Sequence, residues 1–188
     1  RTNAPLVKPC LSLIRDGVKA TIIGRNMADN LIGLTDKIEK RDDFQQIAHG
    51  ADMAAGYTEI TAFIHVLNLY LEEEVPKLIE ANKQGKAADL QDRCETLIAL
   101  TEGCNTIACI KARIQEIFGE DDGREDPGVR FSTVHRSKGL EARDIYIIKP
   151  GLMPHPMASN ERDMQQEENV EYVAMSRGKR NLLYVVGY

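Results

Sequence analysis

The sequence predicts an α/β fold in which a parallel sheet is interrupted by a helical insertion. Two observations carry this reading. A helix-like run and a short apolar strand open the chain, and strand-like runs return only from Val129 onward. Between them, residues 26–128 repeat their apolar positions mostly at helical spacing. The sheet layer is therefore assigned to residues 1–25 and 129–188, and the insertion with its return loop to 26–128.

Each element follows from its pattern. Leu6, Val7, Cys10, Leu11, Leu13 and Ile14 mark a first helix, stopped at Asp16-Gly17, and Ala20 to Ile23 form a strand. Leu31, Leu34 and Ile38 recur at helical spacing, and a long helix runs from Thr58 to about Glu74 with Ile60, Phe63, Ile64, Leu67 and Leu71 on one side. Pro76 is expected to kink or end it. Leu90, Cys94, Leu97 and Ile98 mark the next helix, stopped by Gly103; Ile107, Ile110, Ile114 and Ile117 mark another, with Asn105 as N-cap and Gly119 as stop. The charged loop Glu120 to Gly128 returns the chain to the sheet, whose remaining strands are Val129 to Thr133, Asp144 to Ile148 and Leu182 to Val186. A helical pattern through Val170, Val173 and Ala174 precedes the last strand.

Bulk composition sets the class. A chain of 188 residues, 43% hydrophobic and 28% charged, can bury a proper core. No apolar run approaches bilayer length and no signal peptide opens the chain, so a cytoplasmic protein without a membrane partner is expected. Arg1, standing where an initiator methionine would, suggests a piece of a longer chain. A net charge of −5 argues weakly against general nucleic-acid affinity, but basic groups gather at Arg136/Lys138/Arg143 and Arg177/Lys179/Arg180. Cys10, Cys94, Cys104 and Cys109 include no C-x-x-C pair, and three of them, in predicted helices with apolar neighbours, read as small buried hydrophobes in a reducing compartment. A metal site of Cys94, Cys104 and Cys109 is disfavoured because Cys104 and Cys109, five apart, would not share a helix face, and none is assigned.

Two stretches carry chemistry. Thr133-Val-His-Arg-Ser-Lys-Gly-Leu-Glu141 turns a strand into a polar loop. Thr133 and His135 alternate along the strand end, so both are expected on one face, as donors to a phosphate; capping a loop is the plainer reading. Gly139 permits a turn and close backbone approach, and Arg136 and Lys138 add positive charge. Glu141, among Arg136, Lys138 and Arg143, is otherwise a surface ion-pair partner. The second stretch, Glu171-Tyr-Val-Ala-Met-Ser-Arg-Gly-Lys179, ends a helix on Arg177. A guanidinium there suits a phosphoryl group, or simply a helix C-terminus.

Together these stretches resemble motifs V and VI of superfamily-one DNA helicases of the UvrD/Rep/PcrA type, and Arg1-Thr2-Asn3-Ala4 resembles the end of motif IV. The resemblance implies the second RecA-like core domain of an ATP-dependent helicase, interrupted by an accessory helical subdomain that is short here. It implies that Arg177 is an arginine finger, that Arg1 reaches the terminal phosphate, and that Glu141, with Gly139 beside it, lies at the nucleotide. Thr133, His135, Arg136, Lys138 and Arg25 are then the DNA contacts, Arg25 because Ile22-Ile23-Gly24-Arg25 sits where relatives turn into a DNA-contacting loop. A turn is the plainer reading of that last segment.

The implied partners are single-stranded DNA, a duplex junction and an N-terminal RecA-like domain of the same polypeptide. That domain would hold most of the ATP and Mg²⁺, because no G-x-x-x-x-G-K-[ST] occurs in this sequence. Movement along DNA would be 3′ to 5′, in repair or replication. The isolated chain is expected to be inactive.

Some positions depart from the family pattern. Glu168 and Asn169 stand where two arginines are common, Ser176 replaces a common Thr, and Gly178 a common Ala; Glu167 remains the acidic member, and Gly151 to Pro156 resembles a loop of shape only. Two rivals stay open. One is a helicase–nuclease of AddA or RecB type, and the other a non-catalytic module that binds nucleotide, DNA or a partner helix.

Overall fold

The computed structural model describes residues 2–49, 58–119, 128–148, 151, 153, 158 and 160–185, without the side chains of Arg25, His49 and Gly119. Arg1, most of the loop from Glu120 to Gly128, and most of Gly151 to Pro156 lie outside the described residues. The chain forms two compact units, Thr2–Phe131 and Ser132–Tyr188, the second grouped with Arg1. Helices and small parallel sheets make it an α/β protein.

The larger unit opens with α1 (Ala4–Arg15), β1 (Ala20–Ile23) and α2 (Arg25–Glu39). Then come α3 (Asp42–His49), α4 (Glu59–Glu80), α5 (Gln84–Leu100), α6 (Ile107–Ile117), β2 (Phe118–Gly119) and β3 (Val129–Phe131). Its sheet has the order β2-β1-β3, and both pairings are parallel, with Ile22 opposite Phe118 on one side and Phe131 on the other. β1 is thus central: it precedes the helical stretch and pairs with two strands that follow it. Ala20 and Ile22 are buried, giving the period of two that a strand requires.

The helices form because their apolar residues recur at helical spacing and their ends are capped. Thr58 and Thr61 make a reciprocal box at the start of α4, the Thr61 N–H donating to Thr58 Oγ1 at 3.2 Å and the Thr58 N–H to Thr61 Oγ1 at 2.7 Å. Phe63, Val66 and Leu67 of α4 are fully buried with Leu31 and Ile38 of α2, Leu97 of α5, and Ile110 and Ile114 of α6. Such side chains each contribute roughly 1.5–3 kcal/mol of burial. Lys111 ties α6 to α2 by ion pairs with Asp36 at 2.7 Å and Glu39 at 2.8 Å.

One local expectation is narrowed and two are corrected. Pro76 does not end α4, which runs through it to Glu80. Pro76 is exposed, and so is Glu72, whose carbonyl loses its helical donor, so the missing bond falls at the surface. The N-cap of α6 is Thr106, not Asn105, with Thr106 Oγ1 accepting the Cys109 N–H at 3.2 Å. Cys104 and Cys109 form a disulfide, because Cys104 lies in the turn before α6 and needs no helix face in common with Cys109. Cys10 and Cys94 are free and buried.

The smaller unit contains β4 (Ala142–Ile148), α7 (Glu161–Met175) and β5 (Gly178–Val185). β4 and β5 pair in parallel, Tyr146 opposite Leu183 and Ile147 opposite Tyr184, with an irregularity between Ala142 and Asp144. A parallel pair needs a crossover, and α7 lies on that connection. No described helix is long and apolar enough to cross a membrane.

Candidate functional site

In the smaller unit the two motif stretches meet. The first is a tight turn: the Thr133 carbonyl accepts the N–H groups of Arg136 at 3.0 Å and Ser137 at 3.1 Å, and the Ser137 carbonyl accepts that of Leu140 at 3.0 Å. Gly139 closes the turn at φ +87°, a conformation side chains disfavour. This corrects one geometric expectation. β3 ends at Phe131, so Thr133 and His135 are not strand residues. Thr133 is buried and His135 exposed, and they do not share a surface; Arg136, Lys138 and Glu141 are exposed.

The second stretch is the C-terminus of α7. Asn160 caps its start, accepting the Asp163 N–H at 2.9 Å, and Glu167 and Ala174 are its buried positions. At its end the Ser176 N–H goes to Tyr172 O and the Arg177 N–H to Ala174 O. The Val173 carbonyl is the orphan that a helix end leaves. Side chains satisfy it: Arg177 Nε donates to it at 3.0 Å, and so does Ser176 Oγ at 3.0 Å. The helix-end role considered for Arg177 is therefore present.

Contacts across the two stretches begin at the same residue. Arg177 Nη1 donates to the Leu140 carbonyl at 3.4 Å, and the Ala142 N–H donates to the Arg177 carbonyl at 3.1 Å. One step on, Lys179 pairs with Glu141 at 3.1 Å. Further along the ladder, Asn181 Nδ2 donates to Asp144 Oδ1 at 2.6 Å. Gly178 lies between these contacts, where a Cβ would stand 2.9 Å from the Asn181 carbonyl. That close approach to backbone favours glycine at this position.

The structure thus brings Gly139, Glu141 and Arg177 into one neighbourhood and places Arg136 and Lys138 on the loop leading to it. Sequence reasoning missed Lys179 as the partner of Glu141. Only the register of β4 against β5 reveals that pairing, which no spacing along the chain records. Arg1 lies outside the described residues, and Arg25 opens α2 at Gly24 without its side chain being described.

The larger unit holds a groove of about 580 Å³ bordered by α2, α4 and α5. Lys37 and Tyr70 line it, the ammonium 2.8 Å from the Tyr70 hydroxyl oxygen, and the sequence assigned neither. Among the described residues no group of three or more His, Cys, Asp or Glu side chains could hold a metal ion.

Comparison with known proteins matches the sequence to a family. The chain is 31% identical over 113 residues to YjcD of Bacillus subtilis (strain 168), a candidate ATP-dependent DNA helicase, covering 55% of this chain and 14% of that protein. It is 30% identical over 70 residues to the ATP-dependent DNA helicase Rep of Escherichia coli (strain K12), covering 36% and 10%. It is 25% identical over 149 residues to the F-box DNA helicase protein 1 of Schizosaccharomyces pombe, covering 77% and 16%. The matched regions are thus less than a fifth of each relative's length. Residues 29–186 match the family described as the UvrD-like helicase C-terminal domain, and the chain belongs to that family.

Proposed function

We propose that this chain is the second core domain of an ATP-dependent DNA helicase, a RecA-like layer of residues 1–25 and 129–188 carrying 26–128 as a helical accessory insertion. Arg177 acts as an arginine finger on ATP held mainly, with Mg²⁺, by a separate N-terminal core domain of the same polypeptide. Glu141 meets the ribose beside Gly139, and Arg1 meets the terminal phosphate. Thr133, His135, Arg136, Lys138 and Arg25 face single-stranded DNA near a duplex junction, during 3′ to 5′ translocation in the cytoplasm. For Thr133, whose side chain is buried, a loop shift would be needed to reach a phosphate.

The observation that supports this most is the junction of the two stretches through Leu140–Arg177 and Glu141–Lys179. A cation for phosphate and a carboxylate for a sugar hydroxyl stand at neighbouring positions of one ladder. Nucleotide fits that donor set. An arginine finger stabilises charge spread over the transferred phosphoryl oxygens and is supplied only when the domains close, which would couple hydrolysis to motion.

The test is Arg177→Ala in the complete helicase. DNA-stimulated kcat is expected to fall roughly 10³-fold or more while ATP binding falls far less. Arg177→Lys should rescue poorly, since an ammonium keeps charge and loses the planar fork. Near-normal turnover with a small loss of stability would leave Arg177 as a helix cap alone.

A further inference from the structure

We propose that Ser176 is a positioning residue for Arg177, its hydroxyl fixing the plane in which the guanidinium is presented to phosphate; this rests on the arginine-finger reading. Ser176 Oγ donates to the Val173 carbonyl at 3.0 Å and accepts from Arg177 Nη2 at 2.9 Å. Arg177 Nε donates to the same carbonyl at 3.0 Å. Carbonyl, hydroxyl and guanidinium therefore close a ring of three hydrogen bonds. A single contact at Nε would let the guanidinium swing, whereas two contacts along one edge hold it.

The longer bond from Nη1 to the Leu140 carbonyl, 3.4 Å, adds a weaker restraint from the facing loop. By count these contacts leave one N–H on each terminal nitrogen, enough for a bidentate contact with phosphate. Rotamer freedom that a loose arginine would lose on meeting its ligand is already lost. Ser176 is exposed, so packing does not explain its place. A hydroxyl is the small group able to accept from the guanidinium while donating to the carbonyl, and threonine would keep both bonds.

Two measurements test this. In the chain itself, the Arg177 Nε–H signal, identified by its loss in Arg177→Lys, should exchange with water about tenfold faster in Ser176→Ala than in wild type or Ser176→Thr. In the complete helicase, Ser176→Ala should lower kcat about 10- to 100-fold with KM for ATP within about twofold, and Ser176→Thr should retain kcat. Adding Ser176→Ala to Arg177→Ala should cause no further loss, since the serine acts through the arginine.

If Arg177→Ala is dead but Ser176→Ala turns over and exchanges like wild type, the positioning role is overturned and the finger stands. If Arg177→Ala turns over normally, both fall. A Ser176→Ala loss that tracks a lower melting temperature and is not rescued by threonine overturns the positioning role as well.

Discussion

Asp92 holds the start of the first helix through Asn3. Its carboxylate, carried by α5, accepts the Asn3 N–H at 2.8 Å, the Asn3 side-chain amide at 2.9 Å and the Ala4 N–H at 3.1 Å. Both residues are buried, and α1 has no acid of its own in its first turn. A side chain far away in sequence thus does the work of a local N-cap. The amide faces the carboxylate, which leaves Asn3 Oδ1 without a partner among the described residues.

Asp92→Ala should therefore destabilise the chain by about 2–4 kcal/mol, because several buried donors lose their acceptor at once. Urea unfolding checks this. A loss no larger than that of a surface substitution would show that the α1–α5 packing alone holds the N-terminus.

Arg41 joins α3 to α4 by donating to Asp43 at 2.7 Å and to Glu73 at 3.0 Å. Hydrogen bonds to Arg41 hold both carboxyls below their usual range. Their folded pKa values lie below the unfolded ones, so the linked stability is present above the ordinary carboxylate pKa and is lost as pH falls through the folded values. Arg41 itself is pushed up, chiefly by its bond to Asp43, so it stays charged throughout. The stability difference between wild type and Asp43→Asn should shrink from about pH 7 to about pH 3. An undiminished difference would mean that Asp43 acts through its bond to the Phe44 N–H and not through charge.

Pro76→Ala should stabilise α4. The helix already continues past this position, so alanine restores an N–H for the Glu72 carbonyl and relieves the ring clash, adding about 1–3 kcal/mol. Lower stability, measured by thermal unfolding, would show that Pro76 braces the helix in a way its exposure does not reveal.

Cys10 and Cys94 should resist alkylation in the native protein. Burial pushes their thiols up to about 12 and about 11, and both are fully buried, so little thiolate exists near neutral pH and reagent cannot reach it. Labelling by iodoacetamide should follow the rate of unfolding. Fast labelling of either thiol without unfolding would place it at an accessible site.

Much of this was legible along the chain. Helix α6 follows from isoleucines at helical spacing, β1 from a short apolar run, and the candidate site from two motifs whose residue types suit phosphate. Caps and strand ends were less legible. Asn105 and Thr106 are both good N-caps, and only the backbone at the α5–α6 turn selects Thr106. Thr133 and His135 alternate like strand residues, yet the chain turns after Phe131 because the Thr133 carbonyl takes two N–H groups from its own loop.

The sequence by itself determined the α/β class, the helical stretch between the first and later strands, and the family, because period and motif are properties of consecutive residues. Tertiary structure alone decided that Lys179 meets Glu141, that Arg177 reaches Leu140, that Asp92 caps α1 and that Cys104 joins Cys109. The physical reason is the same in each case. Strand register, helix ends and turns set which distant groups come within a few ångströms, and a hydrogen bond or ion pair depends on that separation and not on place along the chain.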